Sequence, residues 1–127
     1  MPEAILLVDD DPHLMHVLAM FFDLEGYHVL KARDGKQALD LLGEYPPDLV
    51  LLDLMMPGVS GLEVCRQIRA NRKLDGVPVV VFTAADRLED ELMQAGADQF
   101  ITKPYSLDGL RGAVKAAIGS GRAAGRS

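Results

Sequence analysis

Short runs of consecutive apolar residues alternate along the chain with stretches in which apolar residues recur every three or four positions. Most of the short runs lack a polar residue at every second position, which predicts strands that are covered on both faces. These predicted strands span residues 4–8, 29–32, 49–52, 77–82 and 99–101.

The stretches between the predicted strands have the apolar spacing of helices that bury one face. Two further features mark where such helices begin and end: small polar side chains cap the first turn, and glycine follows the last turn. The predicted buried faces are Leu14, Val17, Leu18 and Phe21; Ala38, Leu39, Leu41 and Leu42; Gly61, Val64, Cys65 and Ile68; Leu88, Leu92 and Ala95; and Leu110, Val114, Ala117 and Ile118. The predicted caps are Asp11 (before Pro12), Ser60 and Ser106, and the predicted stops are Gly26, Gly43 and Gly96.

Strand and helix therefore alternate five times along the chain. Right-handed crossovers between such units give a parallel sheet between layers of helices, which is a doubly wound α/β fold. The last residues, 119–127, have the sequence GSGRAAGRS and no apolar period. We predict one domain over residues 1–118, followed by a flexible tail or the start of a linker.

Composition narrows the class of protein. The 127 residues fit one domain, and the formal net charge of −6 makes direct nucleic-acid binding or a basic membrane-surface helix unfavourable. The single cysteine, Cys65, rules out an internal disulfide and suits a reducing compartment. We therefore predict a cytoplasmic domain that binds neither nucleic acid nor membrane.

Polar residues that can carry chemistry follow the predicted strands: Asp9, Asp10 and Asp11 after the first, Asp53 after the third, Thr83 after the fourth and Lys103 after the fifth. Each has a plainer role when taken alone. Asp11 fits a helix cap, Asp53 a turn before Pro57-Gly58, and Lys103 a solvated surface charge. Together they fall at the carboxyl edge of one sheet, where doubly wound proteins bind ligands.

The acids in this set indicate a metal. Asp9, Asp10 and Asp53 would repel one another strongly if they came within a few ångströms. A hard divalent cation with oxygen ligands removes that repulsion, and Mg²⁺ is the one favoured. A cysteine pair is lacking, and His13 and His16 form no larger histidine cluster, so zinc is disfavoured.

A cation beside a lysine and a hydroxyl can hold a phosphoryl group. Phosphoryl transfer depends mainly on positioning and charge stabilisation, which the metal, Lys103 and Thr83 would supply. A carboxylate can act as the nucleophile and form an aspartyl phosphate. Asp53 is the natural candidate because it ends a central strand.

Four ordered blocks of the sequence resemble the response-regulator receiver family of two-component signalling. They are ILLVDDD at 5–11, LLDLMMPG at 51–58, FTA at 82–84 and GADQFITKP at 96–104. The resemblance implies a flavodoxin-like five-stranded sheet of order 2-1-3-4-5 with five helices. It also implies a signalling domain that catalyses only its own phosphorylation and dephosphorylation.

The resemblance assigns a role to each residue of the site. Asp53 would be the phosphoacceptor, and Asp10, Asp53 and the backbone carbonyl of Met55 would bind Mg²⁺, with Asp9 close by. Lys103 would pair with Asp53 and later with its phosphate. Thr83 would move toward the phosphoryl group and Phe100 would turn inward, which switches the surface formed by the fourth helix, fifth strand and fifth helix. The donor would be a phosphohistidine on a sensor histidine kinase or a phosphotransfer protein, and the output an effector domain or downstream protein.

The sequence departs from the usual family pattern in the switch region. The stretch between Thr83 and Gly96 is a couple of residues shorter than is typical, which predicts a short or displaced fourth helix. Phe100 lacks the hydroxyl of the commoner tyrosine.

Two other functions are compatible with parts of this pattern. Asp9-x-Asp11 matches the nucleophile and acid/base pair of haloacid-dehalogenase-type phosphatases, although the chain is short and Pro12 interrupts that motif. The fold could also serve as an interaction module that no longer accepts phosphate. The intact set of Asp9, Asp10, Asp53, Thr83 and Lys103 argues against that hypothesis.

Overall fold

The computed structural model describes residues 3–53, 58, 60–83, 89–102 and 106–120, with side chains except at 83, 89, 102 and 120. Strand and helix alternate within these residues in the predicted order. The strands are β1 Ala4–Val8, β2 His28–Ala32, β3 Leu49–Asp53, β4 Val79–Thr83 and β5 Gln99–Thr102. The helices are α1 Pro12–Leu24, α2 Gly35–Glu44, α3 Gly61–Ala70, α4 Glu89–Gln94 and α5 Leu107–Ser120, with a 3₁₀ turn at Arg72–Leu74.

All four strand pairs of the sheet are parallel, and the strand order is β2-β1-β3-β4-β5. This confirms the predicted doubly wound arrangement and its order. Strand β2 lies on one side of β1, and the chain then crosses over the sheet so that β3 lies on the other side of β1. The carboxyl ends of β1 and β3 therefore border the switch point, where ligands bind in such sheets.

The central strands of the sheet are buried on both faces, whereas His28 and Lys31 of the edge strand β2 are exposed. Ile5, Leu7 and Leu51 point to the layer formed by α1 and α5, whereas Leu6 and Leu52 point to the layer formed by α2, α3 and α4. Every residue of β3 is buried, as the lack of polar alternation predicted. A strand enclosed in this way is a rigid support for the residue at its end.

The predicted helix caps are confirmed. The Asp11 carboxylate accepts hydrogen bonds from the backbone N–H groups of His13 (3.0 Å) and Leu14 (3.3 Å) at the start of α1. Ser60 Oγ accepts from the N–H of residue 63 at 3.2 Å, and Ser106 Oγ from that of residue 109 at 2.9 Å. These bonds satisfy donors that the first turn of a helix leaves without partners, so each helix begins at a defined residue.

The predicted buried face of α1 is partly wrong. Met15, Leu18 and Phe22 are the buried residues of this helix, while Val17 is 47% exposed. Helix α1 carries apolar side chains over much of its circumference, so their spacing fits two buried faces that differ by one residue along the chain. In the structure the other of these faces is buried, and Val17 lies on the outside.

The prediction that Gly43 ends α2 is also wrong, because the helix continues to Glu44. Its last turn closes at Tyr45, which adopts φ −133° and ψ 86°. Pro46 follows directly, and a residue before proline is disfavoured in the helical conformation. Proline rather than glycine therefore ends this helix.

The part of α4 that the structure describes has six residues. Residues 84–88, which precede it, lie outside the described residues, so the short or displaced fourth helix stays a prediction. Helix α5 includes Gly119 and Ser120, and residues 121–127 lie outside the described residues. The predicted tail and the domain boundary remain predictions.

Arg69 connects several segments at the amino edge of the sheet, opposite the aspartates. Its guanidinium donates to the carbonyl oxygens of Gly96 (2.9 Å), Leu74 (3.1 Å) and Val77 (2.5 Å), and pairs with Asp98 at 3.1 Å. The side chain of Arg69 is 13% exposed, so these bonds lie in a partly desolvated setting where they are stronger. They hold the end of α3 against the turn before β5.

We expect Gly96→Ala to lower the free energy of unfolding by roughly 2–4 kcal/mol. Gly96 has φ +106°, and an added Cβ would lie 2.2 Å from Cγ of Arg69. The matched control is Gly112→Ala in α5, where the added methyl has nothing within 4 Å. That change should stabilise by about 0.5–1 kcal/mol. Urea unfolding of both variants tests the pair, and equal effects would contradict the account of Gly96.

Candidate functional site

Three aspartates meet at the carboxyl edge of the sheet. Asp9 and Asp10 follow β1, Asp53 is the last residue of β3, and the register pairs Val8 with Leu52. One carboxylate oxygen from each aspartate lies within 4.8 Å of the others. The predicted convergence of these acids is confirmed.

The three aspartates differ in exposure. Asp9 is 2% and Asp53 4% exposed, whereas Asp10 is on the surface. Hydrogen bonds hold the loop that carries Asp9: its N–H donates to the Ala32 carbonyl at 3.1 Å, and its Oδ1 accepts from the Asp11 N–H at 2.9 Å. The site therefore has two enclosed carboxylates and one that faces the solvent.

The three carboxylates repel one another when they are ionised. Two unit charges 4.8 Å apart repel by about 3 kcal/mol at an effective dielectric constant of 20, and three such charges share the site. The donor atoms are all carboxylate oxygens, which suits a hard divalent cation and disfavours zinc. The residues present therefore fit the Mg²⁺ predicted from the sequence.

Several nearby residues do not belong to the cluster. The Asp11 carboxylate is occupied in capping α1, and this residue is exposed. His13 and His16 are exposed on α1, and within the described residues the group of acids that could hold a metal contains no histidine.

The other predicted site residues are located only by their backbone or not at all. Thr83 ends β4 and pairs with Thr102 of β5, so its backbone lies at the same edge of the sheet as Asp53. Lys103 and Met55 lie outside the described residues. Phe100 pairs with Val81, is half-buried and packs against the core layer under α3 and α4.

A cavity of about 440 Å³ beside the aspartates was not predicted. Asp9, Asp10 and His16 line it, together with two cations, Lys31 in β2 and Arg33 directly after that strand. The sequence feature that could have indicated this cavity is the pair of basic residues at the end of the second strand, since the chain as a whole is acidic. Neither residue was among the predicted site residues.

The length and hydropathy of a helix determine whether it can cross a membrane. None of the helices in the described ranges combines the length and the apolar character that a bilayer crossing requires.

A family model for the response regulator receiver domain matches residues 5–115. The chain is 42% identical over 120 residues to response regulator MprA of Mycolicibacterium vanbaalenii, and the match covers 93% of this chain. The DNA-binding response regulator MtrA of Mycolicibacterium smegmatis matches with the same identity and coverage. In both cases the match covers 51% of the relative, so this chain spans about half the length of those proteins.

A solved structure resembles this fold closely. The response regulator protein TrrA of Thermotoga maritima, in complex with Mg²⁺-BeF, superposes with a TM-score of 0.82. It is 35% identical and covers 90% of this chain, while the match covers 97% of TrrA.

We expect Asp10→Asn to raise the free energy of unfolding in the absence of divalent cations by about 1 kcal/mol, because one of three mutually repelling charges is removed. Urea unfolding in the presence of a chelator measures this. Asp40→Asn, an exposed acid on α2, is the matched control and should change stability by less than about 0.5 kcal/mol. Destabilisation by Asp10→Asn would contradict the electrostatic account.

Proposed function

This chain belongs to the response-regulator receiver family, the signalling domains of two-component systems, and on that premise we propose that Asp53 accepts a phosphoryl group in a Mg²⁺-dependent reaction. The observation that carries the proposal is the convergence of three carboxylates, two of them buried, at the switch point of the sheet.

Asp53 has the position a nucleophile requires. It ends a fully buried strand that is paired with β1 on one side and β4 on the other. Burial removes much of the water that would solvate its carboxylate, while the paired strands limit its movement. A carboxylate oxygen fixed in this way can attack phosphorus as the bond from phosphorus to the donor breaks, and it becomes the bridging oxygen of an aspartyl phosphate, a mixed anhydride.

Asp10 and Asp53 would hold the Mg²⁺ directly, together with the carbonyl of Met55, and Asp9 would act from beside them. Bound there, the ion supplies positive charge that offsets the carboxylates and the incoming phosphoryl oxygens. The complex of TrrA with Mg²⁺-BeF supports this assignment by analogy.

Lys103 and Thr83 would complete the seat for the phosphoryl group. Lys103 directly follows Thr102, the last residue of β5, and Thr83 ends β4 beside it. An ammonium and a hydroxyl from these two positions would contact phosphoryl oxygens that the metal leaves free.

Phosphorylation would be transmitted through Thr83 and Phe100. Phe100 lies next to Val81 on the adjacent strand, two residues before Thr83, and its ring is only half-buried. If Thr83 moves toward the phosphoryl group, the space it leaves can take an inward-turned Phe100 ring. The surface of α4, β5 and α5 would then change with the charge at Asp53.

The phosphoryl group would come from a phosphohistidine on a sensor kinase or phosphotransfer protein. The transfer would take place in the cytoplasm. The relatives extend well beyond the matched region, and one carries DNA-binding in its name. Because this chain has a net charge of −6, we assign any DNA contact to an effector region and not to the receiver itself.

The test is intact-mass measurement after incubation of the chain with acetyl phosphate and Mg²⁺. We expect the mass of one phosphoryl group to be added, and to be absent with Asp53→Asn or with a chelator. The exposed-acid variant Asp75→Asn should be labelled like the wild-type chain.

Two results would contradict the proposal. Labelling that persists in Asp53→Asn but disappears in Asp9→Ala would favour the phosphatase hypothesis. A folded wild-type chain that takes no label would favour an interaction module that does not accept phosphate.

A further inference from the structure

The cavity beside the aspartates lies between the start of α1 and the end of β2. Its volume of about 440 Å³ leaves room for a small organic anion next to a metal-bound phosphoryl group. Its lining combines acids shared with the metal cluster, apolar surface and two cations: Asp9 and Asp10, Pro12 and Met15, and Lys31 and Arg33.

The two cations are exposed and stand two residues apart, which places them on the same face of β2 and its extension. In the described ranges, ion pairs form at Arg66, Arg69 and Arg111, and none involves Lys31 or Arg33. Their charge is therefore available to a ligand in the cavity.

The backbone that carries these cations is fixed relative to the acids. The carbonyl of Ala32, between the two cations, accepts the hydrogen bond from the Asp9 N–H at 3.1 Å. The Arg33 N–H donates to the Gln37 side chain at 2.9 Å, and the Gln37 N–H donates to the Asp34 carboxylate at 2.7 Å. A ligand held by the cations would thus have a defined position next to Asp9.

We propose that Lys31 and Arg33 bind the carboxylate leaving group of small acyl phosphates and so make this chain selective for that class of donor. The proposal rests on the proposed role of Asp53 as acceptor. Metal and Lys103 would hold the phosphoryl oxygens, which leaves the cations of the cavity for the rest of the donor. Pro12 and Met15 supply apolar surface for its carbon atoms.

The chemistry explains why the cations matter for this class. A carboxylate oxygen of Asp53 bonds to phosphorus, and the bond from phosphorus to the acyl oxygen breaks. The electron pair leaves with that oxygen, so a carboxylate forms and no proton has to be transferred. Cations already in place stabilise a charge that grows during the step. Phosphoramidate instead loses ammonia from a nitrogen that already carries its protons, so no negative leaving group forms.

The experiment compares phosphorylation of the full chain by acetyl phosphate and by phosphoramidate, each with Mg²⁺, followed by intact mass over a range of donor concentrations. The double variant Lys31→Gln, Arg33→Gln should react about tenfold more slowly with acetyl phosphate. This factor corresponds to the combined free energy of two exposed charge contacts in the transition state. It should stay within about twofold of the wild-type rate with phosphoramidate. The control, Arg72→Gln with Lys115→Gln, makes the same change in net charge on exposed residues elsewhere and should affect neither rate.

Each other outcome overturns the proposal. An equal loss with both donors would show that the cations act on the phosphoryl group, the metal or the overall field. Unchanged rates with both donors would show that the cavity binds no part of the donor. A wild-type chain labelled by neither donor would overturn the role of Asp53 and this inference together, so the two failures are distinguishable. Urea unfolding of the double variant checks that it folds.

Discussion

Three like charges held within a few ångströms are the constraint on which the rest of the site depends. The fold imposes this arrangement because β1 and β3 are neighbours in register, and each ends at the same edge of the sheet. Core burial on both faces supplies the free energy that keeps the strands together despite the repulsion. A site that gathers three carboxylates in this way is suited to a divalent cation, and a bound cation would in turn suit it to a phosphoryl group.

Much of the fold could be predicted from the sequence because the central strands are buried on both faces and the helices on one. The apolar runs located all five strands, and small polar residues located the starts of α1, α3 and α5. The order of the strands came from the family resemblance, since periodicity does not encode which strand lies next to which. Two local errors have clear causes: α1 is apolar over too wide an arc for Val17 to be placed correctly, and Pro46 rather than Gly43 ends α2.

The candidate site likewise contains residues that could be predicted from the sequence and residues that could not. Asp9, Asp10 and Asp53 could be predicted to converge because parallel strands align their carboxyl ends. Lys31 and Arg33 were missed because charged residues on an edge strand resemble ordinary solvated side chains. The bonds from Arg69 to residues 96 and 98 were also out of reach, because they join segments far apart in sequence. The proposed roles of Lys103 and Met55 still rest on the family resemblance.

Calorimetric titration of the full chain with Mg²⁺ measures whether the aspartate cluster binds the ion. We expect one ion bound per chain, with affinity lowered by at least about tenfold in Asp10→Asn and in Asp53→Asn, since even loss of a group that supports a metal ligand has that effect. Binding that is absent in the wild-type chain, or that is equally strong in both variants, would contradict this expectation.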